Sequence, residues 1–172
     1  MKRRFEQLVD EHGGKLLQMA RLMLRSGAEA EDVVQDSLVK LWRHLPDLDT
    51  GAELGWLITC TRNACLDQLR GRSRRQGYLH AVTADTRQGI EADNEPEQAM
   101  EVAQRADRLY AAIAAMPEPG RSLLILRDIQ EVDVATVAHT LSLTDNQVKV
   151  YTFRARRALR RRLEEEANEQ VA

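Results

Sequence analysis

A chain of 172 residues that is 43% hydrophobic, 30% charged and 4% aromatic fits a soluble protein of one domain or two small ones. Halves of that size enclose little core, which argues against a cavity for a buried cofactor, and none is expected. The formal net charge of −2 hides blocks of opposite sign: acidic over 28–53, basic over 62–75, acidic again in "DTRQGIEADNEPEQAME", basic from Lys149 to Arg162. Alternating blocks of this kind suggest several binding surfaces with different partners.

Abundant Leu, Ala, Arg, Glu and Gln, with few alternating β-branched residues, predict an all-α fold. Helical spacing runs through Phe5, Leu8, Val9, Leu16, Met19, Ala20 and Met23, and Gly13-Gly14 is expected to break it. A second helix spans about Ala28 to Leu45, with Ser26-Gly27 before it and Pro46 after it. Its apolar seam is Val34, Leu38, Leu41 and Leu45. A third fits about Glu53 to Gly71, with Leu54, Leu57, Ile58, Thr61, Ala64 and Leu69 inward. Residues 76–98 have the composition of a flexible acidic linker. Helical pattern resumes from about Pro96 to Ala115 and is interrupted by "MPEPG". Short helices follow around Leu123–Ile129 and Asp133–Thr140, then a longer one from about Asp145 to Glu165. The expected architecture is two small helical domains, 1–75 and 99–166, joined by that linker and ending in a tail over 167–172.

The C-terminal stretch "VDVATVAHTLSLTDNQVKVYTFRARRALRRRL" has the pattern of a helix-turn-helix. Val134, Val137, Ala138 and Leu141 form one apolar face, and Thr144 with Gln147 forms a T-x-x-Q capping box that fixes where the second helix begins. On that helix Val148, Thr152, Ala155, Leu159 and Leu163 share one side, while Lys149, Val150, Phe153, Arg154, Arg157, Arg160 and Arg161 spread over the other. An apolar seam backed by a basic face suits a helix that packs on its own domain and enters a major groove. The plainer alternative is a solvated basic helix. An outward Phe153 on a charged face favours a partner.

On the second helix Asp32, Gln35, Asp36, Val39 and Arg43 point outward. This acidic stripe is either a solvated face or a dock for a basic protein surface, since it repels phosphate. The third helix has the other chemistry: Trp56, Arg62, Asn63 and Arg70, then "RGRSRR". Basic groups near amide and aromatic ones suit opened or single-stranded DNA, although Trp56 in isolation reads more readily as a core residue than as a stacking platform. Cys60 and Cys65 form no C-x-x-C, and no His or Cys recurs at ligand spacing, so both read as packing residues and no metal is expected. No nucleophile–base pair or phosphate-cradling loop points to an enzyme, and no catalytic residue is assigned. "MKRRFEQLVDEHGG" lacks the apolar run of a signal peptide, and neither "LLQMARLML" nor "SLLIL" could span a bilayer. A cytoplasmic location without membrane insertion is therefore expected.

Together, "AEDVVQDSLVKLWRHL", "GWLITCTRNACLDQLR" and "MPEPGRSLLILRDIQEVDVATVAHTLSLTDNQVKVYTFRARRALRR" strongly resemble bacterial extracytoplasmic-function (ECF) sigma factors in order and spacing. The resemblance covers nearly all of the chain outside the linker and the last residues. It implies a first domain equivalent to sigma region two, a second equivalent to region four, and a role in transcription initiation. It implies that Asp32, Gln35, Asp36 and Val39 bind the β′ clamp helices of core RNA polymerase, with the β subunit a further contact. Trp56, Arg62, Asn63 and Arg70, with the loop around Pro46–Leu54, would melt and read the promoter minus-ten element. Lys149, Val150, Phe153, Arg154 and Arg157 would read the minus-thirty-five element. A membrane-associated anti-sigma factor is the implied regulator. Ser142 replaces a frequent Gly in the turn and Thr152 a frequent Leu or Ile in the seam, so some strain and a weaker seam are expected. Two rivals keep part of this reading: a helix-turn-helix regulator acting without polymerase, and a sigma mimic that titrates an anti-sigma factor.

Overall fold

A computed structural model describes the backbone of residues 1–78 and 97–171, with side chains over 1–75 and 101–168. Among these residues every regular element is helical: α1 (Lys2–Leu24), α2 (Gly27–His44), a 3-10 turn (Leu45–Asp47), α3 (Glu53–Tyr78), α4 (Glu97–Ala114), α5 (Gly120–Leu123), a π turn (Leu124–Ile129), α6 (Val134–Leu141) and α7 (Asp145–Val171). The expected linker lies mostly outside the described residues. At its edges α3 runs on to Tyr78, past its expected end near Gly71, and α4 starts at Glu97, close to the expected Pro96.

Helix α1 continues through Gly13-Gly14 instead of breaking there. Two glycines cost about 2 kcal/mol of helix propensity. The same helix buries Leu16, Met19, Met23 and Leu24, each worth about 1.5–3 kcal/mol, so packing decides the outcome. Arg25, in the left-handed conformation, ends α1, and Ser26 caps α2 by accepting from the Glu29 amide at 3.4 Å. Arg72 of α3 closes this corner. It donates to the Leu24 carbonyl at 2.8 Å and pairs with Glu29. Leu41, Leu45, Leu57 and Cys65 complete the buried centre of α1–α3. Burial pushes the Cys65 thiol up to about 12, which keeps it protonated and inert at neutral pH.

In the C-terminal half Leu123, Leu124, Ile125, Leu126, Val137 and Val148 are buried. Asp133 caps α6, accepting from the Thr136 amide and hydroxyl at 2.8 and 2.6 Å; those bonds hold its carboxyl below the usual range. Ser142 adopts φ 54°, the left-handed conformation that glycine tolerates best, as the expected strain requires. The Thr144–Gln147 box is present with both reciprocal bonds, at 2.8 and 3.1 Å. Helix α7 extends through most of the expected tail, to Val171.

The two halves also pack on each other, with α3 against α6 and α1 against α4. Gln130, 9% exposed, donates to the Lys15 carbonyl at 2.6 Å, and Arg25 pairs with Asp107 at 2.5 Å. A composition-based picture of two tethered domains did not anticipate these contacts.

Candidate nucleic-acid interface

Along α7 the predicted division of faces is present. Val148, Thr152 and Ala155 are buried and Leu159 half-buried, while Lys149, Val150, Phe153, Arg154 and Arg157 are exposed. Phe153 is 60% and Val150 37% exposed, so two large hydrophobic side chains stand on the charged face. Arg157 lies 5.9 Å over its ring, and Arg154 lies 5.9 Å over that of Tyr151. Among the described residues, Lys149, Arg154 and Arg157 form no ion pair, which leaves their charge available to phosphates and base edges. The later arginines divide. Arg156 holds Asp128 through two bonds of 2.8 and 2.5 Å and so anchors α7 to the π turn, and Arg162 pairs with Glu166. Both are therefore engaged within the protein. The Thr152 hydroxyl is buried without a partner, the physical form of the weaker seam.

On α2, Asp32, Gln35, Asp36 and Val39 are all exposed on one face, with Val39 at 50%. Trp42, one turn beyond Val39 and 38% exposed, adds an aromatic to it and meets Phe5 edge-on at 5.1 Å. Sequence reasoning passed over Trp42, although its i+3 spacing from Val39 was the available signal.

Helix α3 gathers its candidates less simply. Asn63 is exposed and shares a groove between α2 and α3 with Asp36, Lys40, Cys60 and Asp67. Arg70 is exposed and paired to Asp67 at 2.8 Å, a contact worth little at the surface. Trp56 is half-buried, its ring 5.7 Å from His44, so it belongs partly to the core and partly to the surface. Arg62 is engaged elsewhere. Its Nε donates to Ser122 Oγ at 2.7 Å and its Nη2 to Glu118 at 3.2 Å, while the Ser122 hydroxyl donates to Glu118 at 2.6 Å. Arg72, part of the "RGRSRR" run, is likewise committed, to Leu24 and Glu29.

Among the described residues, no group of three or more His, Cys, Asp or Glu is placed to hold a metal ion. No described helix is long and apolar enough to cross a membrane.

The sequence matches the family model for sigma-70 region 2 over residues 8–75 and that for sigma-70 region 4 over 106–159. It is 32% identical to the ECF RNA polymerase sigma factor SigL of Mycobacterium tuberculosis, over 92% of this chain and 88% of the relative. It is 26% identical to SigW of Bacillus subtilis over the same shares, and 26% identical to SigE of Mycolicibacterium smegmatis over 96% of this chain. The chain spans 63% of the SigE length. Its fold resembles CnrH, solved with the cytosolic domain of CnrY (TM-score 0.71, 24% identity, 96% of this chain and 90% of that one). It also resembles the sigma factor RpoE of Bartonella quintana, solved with the anti-sigma factor NepR (TM-score 0.70, 22% identity, 94% and 98%). The two matched regions, in this order and on this helical framework, make the chain a member of the ECF RNA polymerase sigma factor family.

Proposed function

We propose that this protein is an alternative sigma factor that binds core RNA polymerase and directs promoter recognition, DNA melting and transcription initiation. The observation that carries the reading is α7: a buried seam and a capping box fix a helix whose opposite face presents Lys149, Arg154, Arg157 and an exposed Phe153. That face meets the minus-thirty-five duplex, with Lys149, Val150, Phe153 and Arg154 toward base edges and Arg157 toward phosphate. The α2 face of Asp32, Gln35, Asp36 and Val39 docks on a basic, partly apolar surface, the β′ clamp helices. Trp56, Asn63 and Arg70, with Arg62 once released, serve the minus-ten strand as it opens. Melting then needs no covalent chemistry, because capture of an unstacked base offsets a cost of a few kcal/mol. The domain limits 1–75 and 99–166 are part of this proposal, as is a cytoplasmic site of action.

The Arg62 side chain is mostly buried against Ser122 and Glu118, so its use in minus-ten recognition requires the halves to part. Regulation by an anti-sigma factor suits such a chain, since a partner that binds one arrangement preferentially shifts the population toward it. The solved relatives with CnrY and NepR supply the precedent, and a membrane-associated regulator is the form proposed here.

Charge reversal tests the docking face. Asp32→Arg with Asp36→Arg abolishes core polymerase binding in a fluorescence titration while the circular dichroism spectrum stays helical. Unchanged core affinity would remove α2 from the proposal. A regulator acting without polymerase would leave the α2 face unexplained, and a mimic would have no use for the α7 cations.

A further inference from the structure

Between α2 and α3 the chain runs through residues 45–53 with little helical hydrogen bonding. After the 3-10 turn, Leu48 is extended and Gly51 sits at φ 96°, a conformation that favours glycine. One local bond, Ala52 N–H to the Asp49 carbonyl at 3.1 Å, closes the turn. Pro46, Asp47, Asp49 and Thr50 form the exposed rim. Segments of this kind are the most easily deformed in a small domain.

The bonds that fix its shape come from two side chains far apart in sequence. Arg4, on the first turn of α1, donates through Nη1 to the Leu45 carbonyl at 3.3 Å and through Nη2 to the Leu48 carbonyl at 3.0 Å. Its Nε and Nη2 reach Glu53 Oε1 at 3.1 and 2.6 Å. The other carboxylate oxygen, Oε2, accepts the Gly51 amide at 2.5 Å. The Glu53 side chain is 8% exposed, well below ordinary surface ion pairs. Burial would raise its carboxyl, but the Arg4 bonds and backbone donors more than offset this and hold it below its ordinary value of 4.5. Start, middle and turn of the loop are thus fastened to one guanidinium–carboxylate unit. An ion pair serving only the bundle would have no reason to spend its donors on loop carbonyls.

We infer that Arg4 and Glu53 are positioning residues for promoter opening, holding the 45–53 loop in the shape that meets the unpaired non-template strand. The inference rests on the sigma-factor reading. Asp47 and Asp49 on the rim disfavour phosphate and can accept from base amino groups, so the loop meets bases and not the backbone. Arg4→Lys keeps the charge but loses the planar fork that reaches both carbonyls and the carboxylate. Glu53→Gln keeps the shape but puts an NH2 donor where one carboxylate oxygen accepts, so either Arg4 or the Gly51 amide loses its acceptor.

The test uses holoenzymes assembled from core polymerase and each full-length variant, on a promoter selected by the wild-type holoenzyme. Run-off from the duplex promoter falls about tenfold for either substitution. Core affinity stays at the wild-type value, and the same promoter pre-opened across the minus-ten region restores most of the output. Unchanged duplex run-off, a parallel loss of core binding, or an equal loss on the pre-opened template would overturn the positioning role. If the wild type itself yields no promoter-specific transcript, the sigma reading fails instead. Hydrogen exchange on the free wild-type chain gives a check that needs no variant. The Gly51 amide exchanges slowly if the loop is preformed, and exchange at the rate of an unstructured peptide would overturn the inference.

Discussion

Helices α7 and α3 are both rich in arginine, yet the candidate DNA-facing cations Lys149, Arg154 and Arg157 on α7 and Arg62 on α3 are held differently. On α7, Lys149, Arg154 and Arg157 are exposed and form no ion pair among the described residues. On α3, Arg62 is spent on Ser122 and Glu118 and Arg72 on Leu24 and Glu29. A basic residue reports binding capacity only when its own protein has not already neutralised it. In the arrangement seen here the α7 face proposed for the minus-thirty-five element is exposed, whereas Arg62, proposed for the minus-ten strand, is held in the contact between the halves.

The comparison breaks most visibly at α7. Lys149→Ala with Arg154→Ala lowers promoter-specific run-off about a hundredfold, as expected for two base-edge contacts of about 1–3 kcal/mol each. Thermal stability stays near that of the wild type, because neither side chain supports the fold. On α3 the opposite substitution should help: Glu118→Ala releases Arg62 and raises binding of the free chain to a labelled non-template minus-ten oligonucleotide about tenfold by anisotropy. No change would mean that Arg62 serves the fold alone. Arg72→Ala separates storage from structure. It costs about 1–2 kcal/mol in urea unfolding, discounted for its partial exposure, without raising oligonucleotide binding. The smallest effect belongs to Gly14→Ala, where an added Cβ meets nothing within 4 Å. It stabilises by about 0.5–1 kcal/mol and raises Tm by about 1–4 °C.

Periodicity made the helices legible, and capping chemistry fixed the start of α7 to the residue, because Thr144 and Gln147 act locally. The break expected at Gly13-Gly14 failed for a non-local reason: the cost lies in those two residues, while the compensation comes from burial against α2 and α3. Exposed candidates such as Asp32, Asp36 and Phe153 were found by wheel position alone. Arg62, Arg72, Arg156 and the Arg4–Glu53 unit were not distinguishable from free surface charges, since their partners lie 28 to 60 residues away. Sequence patterning shows where a charge sits on its own helix, but not what faces it.

In vitro transcription with core polymerase on a library of genomic promoters, comparing wild type with the Lys149→Ala, Arg154→Ala variant, shows whether the α7 face directs promoter choice. The wild type gives discrete transcripts sharing a minus-thirty-five and a minus-ten element, and the variant loses them. A wild-type chain that binds promoter duplex tightly by itself yet gives core polymerase no specific transcript would contradict the sigma-factor reading.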